Sequence, residues 1–453
     1  MQLGTRHILI ALAIATATLC AGTTHAAPPQ VPALPSQPAG YVAYAVDNFP
    51  PQYLNGPLAL SNTPEDNPIT DAGATLGRVL FYDKRLSHDN STSCASCHKQ
   101  SAGFSDTDRF STGINGQLTT RHSPGLSNVV FYESGAMFWD ERAASIEDQA
   151  LQPIQSAAEM GSTLPEVVAK LTQTTFYPTL FQAAFGSPEV TPDRIARSIA
   201  QFERSMISYN SKFDAYLNGQ ATLTPAEQAG ESLFNGIARC SACHSTAAHV
   251  SDTPRNIGLD ATVTDPGAGS GRFKTPSLRN IEVRGHFMHD GRFSTLEEVV
   301  EFYNSQVQNS ALLDPRLLDP LRLNLSPEDV SNIAAFMRTF TDQTFLTSSL
   351  FSDPFATLQG DYNGDGVVNQ SDYDVWRNSF GSTASLSADG NGNSIVDSGD
   401  YIVWRANLGR TWLNLAPGSG AGGLTAAIPE LATLVLLCAA LPLFLARRRS
   451  LSR

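Results

Sequence analysis

Two pentapeptides limit what this chain can fold into: CASCH at residues 94–98 and CSACH at residues 240–244. Two thiols at this spacing can bond to the two vinyl groups of one porphyrin, and the adjacent imidazole then meets the iron, as in c-type haem attachment. A disulfide, a redox dithiol or a four-cysteine zinc site would use the cysteines and leave the histidines unexplained. The predicted haem-binding residues are Cys94, Cys97, His98, Cys240, Cys243 and His244.

Both ends of the chain look like processing signals. Residues 1–26 have a basic start and an apolar run, which predicts a cleaved signal peptide, with a retained anchor helix as the alternative. Residues 428–453 join a Pro-Glu pair, an apolar run and three arginines, and resemble a PEP-CTERM sorting signal, with a plain transmembrane tail anchor as the alternative. We therefore expect an exported protein of the periplasm or cell surface that meets a membrane only through its C-terminal segment.

The cysteine count and the net charge narrow the function further. The chain has six cysteines, and the two outside the haem motifs, Cys20 and Cys438, lie in the terminal segments. Every cysteine of the mature chain therefore belongs to a haem motif. The formal net charge of −13 does not suggest a nucleic-acid partner.

Helical patterns dominate the region that holds both motifs. In the clearest case Thr191 is the expected cap and Pro192 the first helical residue. The apolar stripe of this helix consists of Ile195, Ile199, Phe202 and Met206. Because the two motifs lie in comparable helical surroundings, we predict a mainly α fold with two cytochrome-c-like haem domains, at residues 71–217 and 218–345, after a leader at residues 27–70.

A different repeat follows the haem region. Residues 361–381 and 389–409 repeat at an offset of 28, and each has the ligand spacing of an EF-hand-like calcium loop. The predicted calcium ligands, two of them through backbone carbonyls, are Asp361, Asn363, Asp365, Val367, Asn369 and Asp372 in the first loop and Asp389, Asn391, Asn393, Ile395, Asp397 and Asp400 in the second. Turns rich in Asn and Gly are the alternative to calcium binding.

The two loops are not equivalent. Gly366 stands at the sharp turn of the first loop and Ser394 at that of the second, so the second loop should bind calcium more weakly. The pair, at residues 358–412, resembles a type I dockerin module, which implies a cohesin-like partner. Residues 346–357 and 413–427 are the predicted linkers on either side.

The haem region resembles the bacterial dihaem cytochrome c peroxidase family, which includes MauG. The resemblance rests on LGRVLFYDKRLSHDNSTSCASCH, FWDERAASIEDQALQPIQSAAEMG and FKTPSLRNIEVRGHFMHDGRFSTLEEVV, in that order, and on the second haem motif. It implies that the N-terminal haem, with His98 as its proximal ligand, meets hydrogen peroxide. It also implies that Glu159 and Gln149 act in that pocket and that Trp139 relays electrons between the haems. Without the resemblance, Glu159 would be read as a surface acid and Trp139 as core packing.

The same resemblance gives Tyr303 a role. The stretch TLEEVVEFYNSQ, residues 295–306, starts like a capped helix whose apolar stripe turns Tyr303 toward the core. Cytochrome c peroxidases place Met here as the sixth ligand of the second haem, and MauG-like members place Tyr, so the resemblance implies that Tyr303 binds the second iron. A core tyrosine is the alternative, and the competing ligands are Met288, His286, His289 and His249.

Many of these peroxidases also carry a distal histidine after the first haem, which blocks the iron. Ile114 and Asn115 stand in the equivalent region of this chain, so the resemblance implies a first haem that is open at rest. His122 stands near the place where an Asn usually helps to bind an interdomain calcium, which argues against that ion here.

Three functions fit these observations. The first is a peroxidase that takes electrons from a small c-type cytochrome or other redox protein. The second is a MauG-like oxidase that uses peroxide to oxidise a side chain or a small organic partner. The third is an exported dihaem electron-transfer protein or surface redox scaffold without peroxidase activity. Gln149 and Glu159 argue against the third, and Tyr303 with the missing distal histidine favours the second over the first.

Overall fold

The computed structural model describes residues 32, 44, 49–54, 56–250, 253–318, 321–355, 359–363, 367–391, 393 and 395–410. The predicted terminal signals and the linker at 413–427 lie outside these residues. The α-helices are α1 Pro51–Leu54, α2 Asp71–Tyr82, α3 Cys94–Cys97, α4 Ile146–Gln155, α5 Leu164–Thr172, α6 Tyr177–Phe185, α7 Pro192–Ser205, α8 Lys212–Leu217, α9 Pro225–Asn235, α10 Leu296–Glu301, α11 Pro327–Arg338, α12 Gln343–Thr347, α13 Gln370–Ser379 and α14 Ser398–Asn407.

Short 3₁₀ turns and one π-helical turn connect the α-helices. The 3₁₀ turns are Pro57–Leu60, Lys84–Leu86, Gln100–Ala102, Ile114–Gly116, Val129–Phe131, Cys240–Ala242, Ile281–Val283 and Pro315–Leu317. The π-helical turn is Phe302–Gln306 and directly follows α10. Within the described ranges there is no β-strand, only six isolated bridges, so the mainly α prediction is confirmed. None of the helices described is long and apolar enough to cross a membrane.

The predicted helix starts agree with the structure. The Thr191 hydroxyl accepts a hydrogen bond from the Arg194 amide, with Pro192 as the first helical residue, and the predicted stripe of α7 is buried. Thr224 and Glu227 form a reciprocal capping box at the start of α9. These helices begin where a side chain satisfies amides that have no partner within the helix.

Two helix pairs built in the same way form the centre of the fold. Gly77 of α2 lies against α7, and a Cβ added there would come within 1.9 Å of the Ser198 carbonyl oxygen. Gly230 of α9 lies against α11, where an added Cβ would be 1.9 Å from the Asn332 carbonyl oxygen. The helix preceding each haem motif therefore uses a glycine to let a second helix approach closely, which is consistent with two related haem domains.

The hydrophobic cores show where the domain boundaries differ from the prediction. Phe213 of α8 falls in the predicted first domain, but it packs in the second core against Phe336 and Phe340. The predicted leader at 27–70 contains packed residues as well. The fully buried Tyr53 is an example, since its hydroxyl donates to the Ser208 carbonyl at 2.7 Å.

The described part of the predicted linker at 346–357 is also packed. Leu346 and Phe351 lie in a core cluster with Phe104 of the first domain. The Tyr82 hydroxyl donates to the Phe351 carbonyl at 2.7 Å, and the Arg78 guanidinium donates to the Ser352 carbonyl at 2.6 Å. The chain thus returns after α12 to the first domain and is not a free connection at this point.

Candidate functional site

Two cavities lie next to the two haem motifs. The first has a volume of about 440 Å³ and is lined by Cys94, Cys97 and His98. The second has a volume of about 180 Å³ and is lined by Cys240, Cys243 and His244. Since the two cysteine pairs line different cavities, a single four-cysteine zinc site is excluded.

The histidine of each motif is oriented by a backbone carbonyl. His98 Nδ1 lies 2.8 Å from the Phe104 carbonyl oxygen, and His244 Nδ1 lies 3.0 Å from the His249 carbonyl oxygen. A ring that donates from Nδ1 carries its lone pair on Nε2, the nitrogen that is then available for iron. Burial lowers the pKa of both imidazoles, that of His244 to about 4, which keeps them neutral.

Burial disfavours the thiolate form of the four motif cysteines. No disulfide joins these four cysteines. Burial raises the pKa of Cys97 to about 11 and that of Cys240 to about 12. Redox dithiols and zinc ligands react as thiolates, so protonated thiols beside a cavity fit covalent haem attachment better.

Glu159 and Gln149 both line the first cavity, together with His98. Gln149 lies on α4, and Glu159 lies in the turn that follows this helix. The Ile114 amide donates to the Glu159 carbonyl at 2.8 Å, and an added Cβ at Gly113 would come within 2.7 Å of the Glu159 Cα. The loop after the first haem motif therefore fixes the backbone of Glu159 by close packing.

That loop brings no free imidazole into the first cavity. The Ile114 side chain is buried and Asn115 is exposed, and neither lines the cavity. His122 does line it, but its Nε2 lies 3.1 Å from the Ser105 hydroxyl and its Nδ1 lies 3.1 Å from the Arg109 carbonyl oxygen. Both ring nitrogens of His122 thus lie at hydrogen-bonding distance from protein atoms.

The two domains meet beside His122 through an ionic contact. The Arg121 guanidinium lies 2.6 Å from the Asp140 carboxylate and 2.7 Å from the Asp265 carboxylate, which joins the two domains. The His122 amide donates to the His289 carbonyl at 2.8 Å across the same boundary. At this junction a guanidinium supplies a positive charge between carboxylates.

Trp139 lines both cavities, the position expected of a relay between two haems. Its indole N–H donates to the His122 carbonyl at 2.7 Å, and its own carbonyl accepts from the Lys274 amide at 2.8 Å. These two bonds hold the ring between the domains. Lys274 itself lines both cavities, a feature that the sequence analysis missed.

Tyr303 lines the second cavity, but the helix that carries it differs from the prediction. The capping box of Thr295 and Glu298 forms as expected, yet α10 ends at Glu301 and a π-helical turn carries Tyr303. A π-turn changes the direction of side chains relative to an α-helix and is often found at functional sites. Burial raises the pKa of the Tyr303 phenol.

The competing ligands divide into two groups. Met288 and His289 line the second cavity with Tyr303, although the His289 ring stacks on Phe273 with centroids 3.6 Å apart. His286 and His249 do not line it, and the His249 ring is stacked on Phe340 in the core.

The C-terminal repeats form two equivalent loop-and-helix units. Asp372 and Asp400 are fully buried and accept hydrogen bonds from amides of their own loops, such as those of Asn363 and Asn391 at 3.0 Å. Asp365, Gly366 and Ser394 lie outside the described residues. Among the residues that are described, no three His, Cys, Asp or Glu side chains converge as a metal site.

The repeated tryptophans connect the two units. The Trp376 indole donates to the Asp397 carbonyl at 2.8 Å, and the Trp404 indole donates to the Asn369 carbonyl at 2.8 Å. Asn369 and Asp397 are the N-caps of α13 and α14. Each helix therefore holds the end of the other loop, which explains why both repeats carry a tryptophan at this position.

A model of the di-haem cytochrome c peroxidase family matches residues 71–222. The methylamine utilization protein MauG of Methylophilus methylotrophus is 32% identical over 288 residues, which cover 61% of this chain and 84% of that protein. The chain belongs to the di-haem cytochrome c peroxidase and MauG family. It is accordingly a peroxidase, a peroxide-dependent oxidoreductase with two haem cofactors.

Other members of the family give the same assignment. Cytochrome c551 peroxidase of Nitrosomonas europaea is 35% identical over 284 residues, which cover 59% of this chain and 79% of that protein. The crystal structure of a MauG-like protein associated with microbial copper homeostasis is 31% identical, with a TM-score of 0.61, and covers 69% of this chain and 100% of that one. Both branches of this peroxidase family are thus represented among its relatives.

Several residues that line the first cavity are not predicted from the sequence, among them Tyr132, Pro153, Glu203 and Lys274. An internal comparison points to one of them, since MFWDERAAS at 137–145 matches FMHDGRFST at 287–295 at an offset of 150, and the same offset pairs Pro153 with Tyr303. Burial raises the pKa of Glu203 to about 8 and lowers that of Lys274 to about 7, so this wall carries an unusually placed acid and base.

Proposed function

We propose that this peroxidase is a MauG-like oxidase. Hydrogen peroxide is reduced in the first cavity. The electrons come by way of the second cavity, either from a side chain of a partner protein or from a small organic partner. The observation that carries the proposal is Tyr303, which lines the second cavity with Cys240, Cys243 and His244. Support also comes from Ile114 and Asn115, which stand in the region of the usual distal histidine and do not line the first cavity.

The two haem motifs have matching roles. Cys94 and Cys97 would hold the first haem c, with His98 as its proximal ligand, and Cys240, Cys243 and His244 would hold the second. The bonds from Nδ1 of each histidine to a carbonyl support this assignment. When bound, the haems supply the redox chemistry that reduces peroxide.

Glu159 is the proposed acid and base for peroxide. Reduction of peroxide to water requires a proton to leave one oxygen and reach the other, and a carboxylate in the cavity wall can carry it. Gln149 would orient the peroxide through its amide, since both side chains line the same cavity. The close packing of Gly113 on Glu159 supports a fixed position for this group.

Trp139 is the proposed relay, because it alone among the aromatic residues described lines both cavities. Tyr303 would give the second haem an anionic oxygen ligand. A phenolate stabilises oxidised iron by neutralising its additional positive charge at close range, whereas a neutral thioether raises the potential. Such a centre suits the oxidation of a partner better than the storage of a reducing electron.

The deciding experiment is to mix hydrogen peroxide with the fully ferric protein and to follow both haem spectra by stopped flow. A MauG-like oxidase should react at once, without a reductant. A reaction that begins only after one-electron reduction of the second haem would overturn the proposal. The same protein, reduced by one electron beforehand, is the matched control.

A classical cytochrome c peroxidase is the second candidate. Met288 lines the second cavity and could act as a thioether ligand, which favours electron uptake from a small c-type cytochrome. In that case a reduced cytochrome should support turnover of peroxide, and the ferric protein should be inactive until the second haem is reduced.

The repeats after the haem region would serve attachment. Residues 358–412 are proposed to bind calcium as a dockerin-like module with a cohesin-like partner, supported by the cross-bonded Trp376 and Trp404. We further propose export to the periplasm or cell surface through residues 1–26 and sorting through residues 428–453. Detection of the mature termini by mass spectrometry of the protein from its native host would test both cleavages.

A further inference from the structure

A tyrosine of the first cavity wall is paired with a carboxylate that takes no part in the proton transfer proposed for Glu159. Tyr132 follows the 3₁₀ turn Val129–Phe131, is fully buried and lines the cavity. Its hydroxyl donates a hydrogen bond to Glu141 Oε1. A phenol whose hydroxyl is already hydrogen-bonded to a base can give up an electron to a nearby oxidant, because its proton can move to the base at the same time.

Glu141 has a backbone conformation that is unfavourable for a residue with a side chain, which suggests that its carboxylate has a function. Its φ of 53° lies in the left-handed region, where a side chain costs free energy. The equivalent position in the second domain is Gly291, with a φ of 64°, in a turn closed by the same kind of bridge, Phe287 to Phe293 in place of Met137 to Ala143. The turn therefore suits glycine, and the first domain carries a strained glutamate whose carboxylate meets Tyr132.

We propose that Tyr132 is a redox-active residue, oxidised by one electron in the reaction with peroxide, with Glu141 as the acceptor of its proton. Hydrogen peroxide is the oxidant. One of the two electrons needed to reduce it to water comes from the phenol, and the other would come from a haem iron. The O–H proton of Tyr132 moves to Glu141 Oε1, which leaves a neutral phenoxyl radical and a carboxylic acid. An external donor later returns one electron, and the proton moves back to the oxygen of Tyr132.

The proton shift is what makes this oxidation feasible in a buried place. Loss of an electron alone would leave a positive charge on the Tyr132 ring, away from water, and a buried charge is costly. Transfer of the proton within the existing hydrogen bond removes that charge at the same moment. The net charge of the Tyr132–Glu141 pair changes from −1 to zero, so no water is needed to solvate a new charge.

Lys274 affects how easily Tyr132 is oxidised. Its ammonium lies 4.0 Å from the centroid of the Tyr132 ring and donates to the Ala136 carbonyl at 3.1 Å. In its protonated form Lys274 places a positive charge over the ring, which opposes loss of an electron until a strong oxidant is present. Because the backbone amide of Lys274 also donates to the carbonyl of Trp139, the pair is connected to the wall between the two cavities.

The test is electron paramagnetic resonance on the full-length holoprotein, frozen rapidly after mixing the ferric form with one equivalent of hydrogen peroxide. We expect a tyrosyl radical whose splitting collapses when the protein contains ring-deuterated tyrosine. Tyr132→Phe should lose this signal. Tyr177→Phe is the matched control, because Tyr177 is a buried tyrosine that donates to the Asp83 carboxylate at 2.7 Å but lines neither cavity.

Glu141→Gly separates the redox role from a structural one. Glycine suits the left-handed backbone, so this variant should keep the turn and the fold while losing the tyrosyl signal. Glu141→Gln should also lose the signal, since an amide does not accept the proton. This pair of variants keeps the test valid if Tyr132→Phe folds poorly.

Two results would overturn the inference: a wild-type protein without a tyrosyl radical, or the same radical in Tyr132→Phe or Glu141→Gly. Neither affects the proposed MauG-like function, which depends on the reaction of the ferric haems. Conversely, a tyrosyl radical lost in Tyr132→Phe supports the inference even if a small cytochrome proves to be the electron donor.

Discussion

Pro153 and Tyr303 occupy equivalent positions in the two domains, each eight residues after the N-cap of its helix, and each lines the cavity of its own domain. Ser145 caps α4 and Thr295 caps α10. A proline side chain has no atom that can bind iron, whereas a phenol has one. The same position therefore has no iron-binding atom beside the first cavity and has one beside the second.

This asymmetry predicts the behaviour of two variants at position 303. Tyr303→Phe should keep both covalent haems and change the ligation spectrum of the second. Tyr303→Met should raise the potential of that haem, because a neutral thioether does not stabilise ferric iron as a phenolate does. Mass spectrometry, visible spectra and a spectroelectrochemical titration measure these effects.

Tyr177→Phe serves as the control for the spectral change, since Tyr177 lies in the first core and lines neither cavity. If Tyr303→Phe leaves both the spectrum and the potential of the second haem unchanged, Tyr303 is a core residue. Met288 and His289, which line the same cavity, would then be the ligands to test.

Glu159→Gln tests proton transfer to peroxide. The amide is nearly the same size but cannot carry a proton between the two oxygens, so the reaction with peroxide should slow by ~10²–10⁴-fold. The spectra of both resting haems should stay normal. The surface variant Glu65→Gln should react at the wild-type rate. A wild-type rate in Glu159→Gln would show that another group moves the proton.

The two close helix contacts predict a loss of stability. Gly77→Ala and Gly230→Ala each force a methyl group to within 1.9 Å of a carbonyl oxygen on the facing helix, and relief of this overlap should cost about 1–3 kcal/mol of unfolding free energy. Gly56→Ala is the control, because the nearest atom to its added Cβ is 3.9 Å away. Denaturant titration with both haems bound measures the differences. Equal midpoints in all three variants would contradict the packing argument.

The features that sequence predicted well are local. A haem motif, a capping box and an apolar stripe each depend on residues within one or two helical turns, so the residue order alone is enough to place Thr191 and Thr295 as caps. The residues of the first cavity that carry family roles, Glu159 and Gln149, came from motif resemblance and also line the cavity.

The features that sequence did not predict arise from contacts between distant segments. Residues 295–306 contain no glycine or proline that would mark the change from an α-helix to a π-turn at Phe302. The convergence of Tyr132 and Lys274 on one wall joins positions more than a hundred residues apart. Residues 345–352 pack back onto the first domain, and this packing also depends on residues far away in the sequence, such as Phe104.

The two C-terminal repeats should bind calcium with unequal affinity. Calcium should bind the loop at 361–372 more tightly than the loop at 389–400, because the second has Ser394 at the turn and Asn393 in place of a carboxylate. Calorimetry on the full-length protein should resolve a tighter and a weaker site. Asp372→Asn should abolish the first site and Asp400→Asn the second. Each amide oxygen can still accept from the amide of Asn363 or Asn391, but the acceptor for the amide of Asn369 or Asp397 is lost.

The cross-bonds predict that the two sites are coupled. Because the Trp404 indole holds the end of the first loop and the Trp376 indole holds the end of the second, ordering one loop should help to order the other. Asp372→Asn should therefore weaken the remaining site as well, and Trp404→Phe should weaken binding at the first loop without removing any ligand. Independent titration of the two sites would contradict the coupling, and no calcium uptake at all would contradict a calcium-binding module.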